Sequence, residues 1–244
     1  MSLVGEGVHR FGTRFVNWYV LQEGERLTLV DAGLPGYWKQ LDESLESIGR
    51  TRGDVEAVVL THSHSDHTGF AEKLRETTGA RVLIHESDAE AARRARPTRP
   101  EASPLPYMRH RTALRFIAHA ASNGFAKPIK IRDLATFRDG EVLDVPGRPR
   151  AVLTPGHTSG MCSFLLESAG VLIAGDELCN GNPFTGREGV QVMPRCTNVS
   201  SDQALDSLSR IEGLQAQTLL FGHGDPWAGT PGEAASLARE AGLS

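Results

Sequence analysis

Apolar positions along the chain follow two rhythms. Residues 55–60 and 81–84 are short, nearly continuous apolar runs, the pattern of strands buried on both faces. Residues 15–21 and 26–30 flank Gln22-Glu23-Gly24-Glu25, which predicts a hairpin. Trp38, Leu41, Leu45 and Ile48 instead recur at helical spacing with Gly49 as a stop. Residues 70–78 read as a helix ending at Gly79. Strand signals return at 141–145, 151–154, 161–167, 171–174 and 218–221, and helices fit 201–211 and 231–241. Runs of strands separated by helices in both halves predict sheets packed face to face with helices outside.

Residues 86–138 break this rhythm. They hold nine Arg and two Lys against five acids, a balance of +6 in a chain whose formal net charge is −4. Pro97, Pro100, Pro104 and Pro106 divide the stretch into a helix, an irregular connection and a second helix near 107–122. It reads as a helical insertion on a layered core. Its charge suits either a solvated helical surface or a lid that attracts an anionic substrate.

The length of 244 residues suits one domain spanning 1–244, and 39% hydrophobic residues suffice for a core. An acidic balance disfavours nucleic acid as a partner, because such binding draws on Lys and Arg against phosphates. No apolar run approaches the roughly 20 residues that cross a bilayer. The start of the chain lacks the basic and apolar regions of a secretory signal. Cys162, Cys179 and Cys196 are widely spaced and form no CxxC pair. A reduced, cytoplasmic protein without a disulfide framework or membrane contact is therefore expected. Oligomeric state has no sequence signal.

The candidate chemistry begins where the strand at 55–60 ends. There the chain reads Thr61-His62-Ser63-His64-Ser65-Asp66-His67. Residues two apart at a strand end face the same way, so His62 and His64 can hold one cation. The chain then turns into a helix, and Asp66 and His67 point toward a second position. Imidazole and carboxylate suit zinc. Three more strand ends carry a glycine-bearing turn and a ligand: Gly156-His157, Gly175-Asp176 and Gly222-His223. A satisfied core histidine would explain one such residue, but not the whole set.

On these residues, together with Asp31-Ala32-Gly33, the chain resembles the metallo-β-lactamase superfamily from about Val8 to Trp227. The resemblance implies an α+β fold, a four-layer αββα sandwich with metals between the sheet ends. It implies one ion on His62, His64 and His157, another on Asp66, His67 and His223, and Asp176 as the bridge. The family's antibiotic-hydrolysing members lack that bridging Asp. Its lactonases place a Tyr three residues after it, where this chain has Cys179.

Two divalent ions sharing a hydroxide provide a nucleophile without Ser or Cys. The leading expectation is hydrolysis of an ester, lactone or thioester by that hydroxide, with a small-molecule substrate that is anionic if the lid reading holds. Zinc ranks ahead of iron and manganese. Asp66 is first a ligand and second a catalytic proton carrier. The alternatives are an iron oxidoreductase of the persulfide-dioxygenase type, using His62, His157 and Asp176, and a phosphodiesterase or nuclease. Asp31 fits a support for a ligand imidazole or a strand-end cap. His85, Trp18, Trp38 and Trp227 read as structural, Cys179 as an inert buried thiol, and His110 and His119 as surface residues.

Overall fold

The computed structural model describes residues 2–96 and 98–244. Met1 and Pro97, the latter one of the prolines taken to break the insertion, lie outside the described residues. The chain opens with β1 (Ser2–Gly5), β2 (Val8–Gly12), β3 (Asn17–Glu23) and β4 (Arg26–Val30). A 3-10 turn at Pro35–Gln40 leads into α1 (Leu41–Glu46). Then follow β5 (Val55–Val59), α2 (Ser65–Thr68), α3 (Ala71–Thr78), β6 (Arg81–His85) and α4 (Glu86–Arg94). A second 3-10 turn, Leu105–Arg109, precedes α5 (Arg111–Ser122) and β7 (Ala135–Phe137). The second half contains β8 (Arg150–Leu153), β9 (Cys162–Leu166), β10 (Val171–Gly175), β11 (Leu178–Asn180) and β12 (Val190–Val192). It closes with α6 (Ser201–Ile211), β13 (Thr218–Phe221), β14 (Trp227–Ala228) and α7 (Pro231–Ala241).

The first sheet has seven strands in the order β1 to β7, and the second has five in the order β14-β13-β10-β9-β8. Side chains alternate across each strand, and the alternation sorts them into layers. In β3, Trp18 and Val20 face the outer helices, while Tyr19 and Leu21 join the core between the sheets. In β10, Val171 and Ile173 meet that same central core, and Leu172 and Ala174 face α6 and α7. Phe137 of the first sheet meets Phe164 of the second with ring centroids 5.7 Å apart. The result is the expected helix–sheet–sheet–helix sandwich. Burying one ring such as Phe164 stabilises it by about 1.5–3 kcal/mol.

Strands β4, β5, β6 and β7 run parallel, so their carboxyl ends share one edge. Strands β10 and β13 are also parallel. Every ligand-bearing turn named above follows a strand, and this topology gathers those turns at one rim. Gly79, at φ 79°, ends α3 in the left-handed conformation that glycine adopts without strain.

Several elements differ from the sequence reading. The insertion is shorter than 86–138: α4 packs on β6, and β7 extends the sheet by pairing with β6, so both belong to the sandwich. The shift in composition marks only the connection between them. Residues 141–145 form a single bridge, Val142 to Arg150, because the turn at Gly147 leaves no length for a ladder. The hairpin β1–β2 and the short strands β11, β12 and β14 went unread because two to five residues carry too little periodicity. No helix among the described residues is long and apolar enough to cross a membrane.

Candidate metal centre

His62 follows β5 and is fully buried. The turn after it places His64 at the N-terminal boundary of α2, and that single helical turn swings Asp66 and His67 back to the same rim. The His62 ring lies 4.6 Å from that of His64 and 4.1 Å from that of His67, centroid to centroid. His157 arrives after β8, Asp176 after β10 and His223 after β13. All seven predicted residues converge. They fall into three overlapping groups able to hold a metal ion: His62, His64 and His157; His62, His67 and Asp176; Asp66, His67 and His223.

The distances show how the groups interlock. His64 Nδ1 lies 2.9 Å from His157 Nε2. Asp176 Oδ2 is 3.0 Å from His223 Nε2, 3.3 Å from His157 Nε2 and 4.0 Å from His62 Nε2. Its other oxygen, Oδ1, is 3.4 Å from His67 Nε2. Asp66 Oδ2 sits 3.7 Å from His223 Nε2 and 3.9 Å from His67 Nε2. Asp176 thus reaches donors of both histidine groups.

The outer nitrogen of each imidazole has its own partner. His62 Nδ1 meets Thr61 Oγ1 at 3.0 Å, His67 Nδ1 meets Asp31 Oδ2 at 2.8 Å, and His157 Nδ1 meets Asn198 Oδ1 at 2.9 Å. His64 Nε2 bonds Thr98 Oγ1, and His223 Nδ1 donates to the carbonyl of Phe15. With those nitrogens engaged, each ring turns its remaining nitrogen toward the cluster, the arrangement that fixes tautomer and orientation in metal sites.

The donor set fits divalent cations. His62 Nε2, His67 Nε2 and Asp176 Oδ1 are buried and make no hydrogen bond. Leaving such groups unsatisfied is costly, and a cation would satisfy all three. Burial, reinforced by neighbouring imidazoles, pushes His62 well below the ordinary histidine pKa and His157 down to about 4, which keeps lone pairs free. Burial also opposes protonation of His67, but the carboxylates of Asp176, Asp31 and Asp66 outweigh it and raise its pKa. A cation there would displace that proton. Gly222 completes the fit: a Cβ at that position would stand 2.0 Å from Asp176 Oδ1 and 2.6 Å from His67 Cε1.

Beside the cluster opens a cavity of about 400 Å³, lined on one side by His64, Asp66, His157, Asp176 and His223. Residues of the insertion line much of the rest. Phe116 of α5 meets the His223 ring edge-on at 5.7 Å.

The residues of undecided role take definite places. Asp31 combines both readings: it accepts the Thr61 N–H at 2.8 Å at the strand end and also supports His67. His85 caps α4, its Nδ1 accepting from Ser87 N at 3.2 Å. Cys179 is buried and burial raises its pKa, as an inert thiol requires. His119 is no plain surface residue; Tyr37 Oη lies 2.7 Å from its Nε2. Three supports escaped the sequence reading: Asn198, Thr98 and Asp88. Asp88 accepts from Ser63 N at 2.9 Å and Gly160 N at 2.8 Å, tying the first ligand turn to the loop after His157. In sequence it resembles any acid in a helix's first turn.

Two sheets whose ends converge on a buried His/Asp cluster define a class of metal-binding αββα proteins. A sequence model of the metallo-beta-lactamase superfamily matches residues 11–223, and the chain belongs to that superfamily. A metallo-beta-lactamase family protein of Thermus thermophilus superposes with a TM-score of 0.69 at 30% identity, covering 97% of this chain and 79% of that one. A probable metallo-hydrolase of Bacillus subtilis, YflN, is 26% identical over 92% of this chain and 86% of its own. A hydroxyacylglutathione hydrolase of Rhodospirillum rubrum is 26% identical over 73% of this chain, a match spanning 50% of that protein.

Proposed function

We propose that this chain is a dinuclear metal-dependent hydrolase of esters, lactones or thioesters. His62, His64 and His157 hold one ion, Asp66, His67 and His223 hold the other, and Asp176 joins them. Zinc is the first choice on ligand type. The observation that carries the reading is the convergence of five inward-turned imidazoles with one carboxylate that reaches both groups.

Bound there, paired divalent ions supply an activated water and a Lewis acid for a carbonyl oxygen. The residues of the chain do the rest. The outer partners of the histidines hold donor positions fixed, so no reorganisation accompanies the reaction. Asp66, on the cavity wall, takes and returns a proton at its carboxylate. The apolar residues that share this cavity keep bulk water away from a bound acyl group. A relative named as a probable metallo-hydrolase supports hydrolysis, and one named as a hydroxyacylglutathione hydrolase supports acyl chemistry for this site.

The test is a hydrolysis panel of lactones, thioesters, aryl esters and phosphodiesters on protein of measured metal content. Acyl substrates are expected to turn over with two ions per chain. Replacing Asp66 and His67 together by Ala is expected to remove one ion and most turnover. Full activity with one ion bound overturns the two-metal version. Oxygen uptake by iron-loaded protein without acyl hydrolysis overturns the hydrolase reading.

A further inference from the structure

The insertion supplies two kinds of wall to the cavity beside the cluster. One is apolar: Phe116, Ile129 and the 43%-exposed Phe125 line the cavity from the insertion, and Phe184 and Met193 join them from the second half of the chain. The other is cationic. Of the eleven Lys and Arg in residues 86–138, two reach the cavity: Arg96 and Lys127. They come from separate parts of the insertion, Arg96 just after α4 and Lys127 after α5.

These two cations differ from several neighbours. Arg94, Arg132 and Arg138 are tied to Glu90, Glu76 and Glu86, whereas neither Arg96 nor Lys127 has an ion-pair partner among the described residues. The acids that line the cavity are Asp66 and Asp176, both within the histidine cluster. Two exposed cations without ion-pair partners, lining a largely apolar cavity, raise the local concentration of anions there and orient one that carries an apolar body. A volume of about 400 Å³ also matches a pocket for one small molecule.

We propose that Arg96 and Lys127 form an anion-holding subsite of this cavity, and that the substrate is an amphiphilic acyl compound. Its apolar portion lies against Phe116 and Phe125 of the insertion and against Phe184. Its carboxylate or phosphate, remote from the scissile bond, lies between Arg96 and Lys127. This rests on the hydrolase reading for turnover, but the binding it requires can be measured without turnover.

Three esters of equal reach test it on the metal-loaded protein: the mono-4-nitrophenyl ester of suberic acid, 4-nitrophenyl octanoate, and an analogue ending in phosphate. Either anionic ester should exceed the neutral one in kcat/KM by about tenfold or more, the scale of one charge-assisted contact. Their relative order tells a carboxylate site from a phosphate site. That anionic-to-neutral ratio should fall at least tenfold in Arg96→Gln/Lys127→Gln. Arg96→Glu/Lys127→Glu should turn the preference toward an ester ending in an amine. Binding of 1-anilinonaphthalene-8-sulfonate, an apolar sulfonate that ligates metals poorly, should weaken in parallel and weaken again in Phe125→Ser. Equal turnover of anionic and neutral esters, unchanged by the Gln pair, overturns the subsite and leaves the hydrolase reading standing. Dye binding that depends on Arg96 and Lys127, without turnover of any ester, lactone or thioester, supports the subsite and overturns the hydrolase reading instead.

Discussion

Asp31 Oδ2 lies 2.8 Å from His67 Nδ1, and the same carboxylate receives the hydroxyl of Thr61, whose oxygen lies 3.0 Å from His62 Nδ1. One side chain therefore steadies a ligand in each candidate ion group. Its backbone is left-handed, at φ 63°, which costs a non-glycine residue about 1–2 kcal/mol. Such a conformation persists where the surroundings over-determine it. Asp31→Ala is expected to lower zinc affinity about 10–100-fold, read by competition with a chromogenic chelator. Asp31→Gly separates the two effects. It relieves the backbone but supplies no carboxylate, so its zinc affinity should stay as low as that of the Ala variant. Recovery of affinity in the Gly variant would show that backbone fit, not the hydrogen bonds, is what matters.

Gly222 makes a second prediction through the absence of a side chain. A Cβ there would meet Asp176 Oδ1 at 2.0 Å and His67 Cε1 at 2.6 Å, and real atoms never approach so closely. Gly222→Ala must displace both side chains or the strand behind them. Overpacking of this kind costs about 1–3 kcal/mol in stability. The sharper effect is on metal uptake: on the proposed two-ion site, bound zinc, measured by atomic emission after dialysis, should fall from two ions toward one. Two ions retained at full affinity would mean that the rim yields without moving its ligands.

The residues of the candidate cluster were legible from sequence because their logic is local. A strand end, a glycine and a donor recur at His157, Asp176 and His223, and His62 to His67 sit within six residues. The layers were legible for the same reason, since alternation along β3 or β10 is a property of each strand alone. What escaped is long-range. Asn198 supports His157 from 41 residues away, and Thr98 reaches His64 from 34. No local pattern marks an Asn or Thr for such a task. The insertion boundary failed similarly: composition changes at 86, but pairing of β7 with β6 decides which residues belong to the sheet.

Asp88 illustrates how the loops around the cluster are braced. Its two oxygens accept the N–H groups of Ser63 and Gly160, and the residue is buried. Asp88→Ala would orphan both donors, at about 1–3 kcal/mol for each that stays buried. Urea denaturation should show that loss, with Asp88→Asn intermediate because one acceptor oxygen remains. Zinc affinity should fall as well, since Ser63 lies between His62 and His64. A variant as stable as the parent would mean that water replaces the carboxylate without penalty.

His85 predicts a pH dependence of folding apart from the ligand histidines. Its Nδ1 accepts the Ser87 N–H at the start of α4, a bond available only to the unprotonated nitrogen. The ring packs against Phe137, with centroids 5.9 Å apart. Burial pushes its pKa below the ordinary histidine value, and Glu86, Asp88 and Asp139 offset this only in part. The unfolded chain therefore binds a proton near pH 6.5, while the native chain resists it until lower pH. Between those values the unfolded state holds more protons, so stability rises with pH there. The contribution is fully present above about pH 6.5 and is lost as pH falls through the depressed native value. His85→Asn keeps a capping acceptor that does not titrate. The clustered histidines are common to both proteins, so the difference between their melting curves isolates His85. From pH 8 to pH 5 the parent Tm should fall further than that of the variant, by about 2–4 °C for a cap worth about 1 kcal/mol. Parallel curves would mean that the cap survives protonation, by rotation of the ring or by water taking its place.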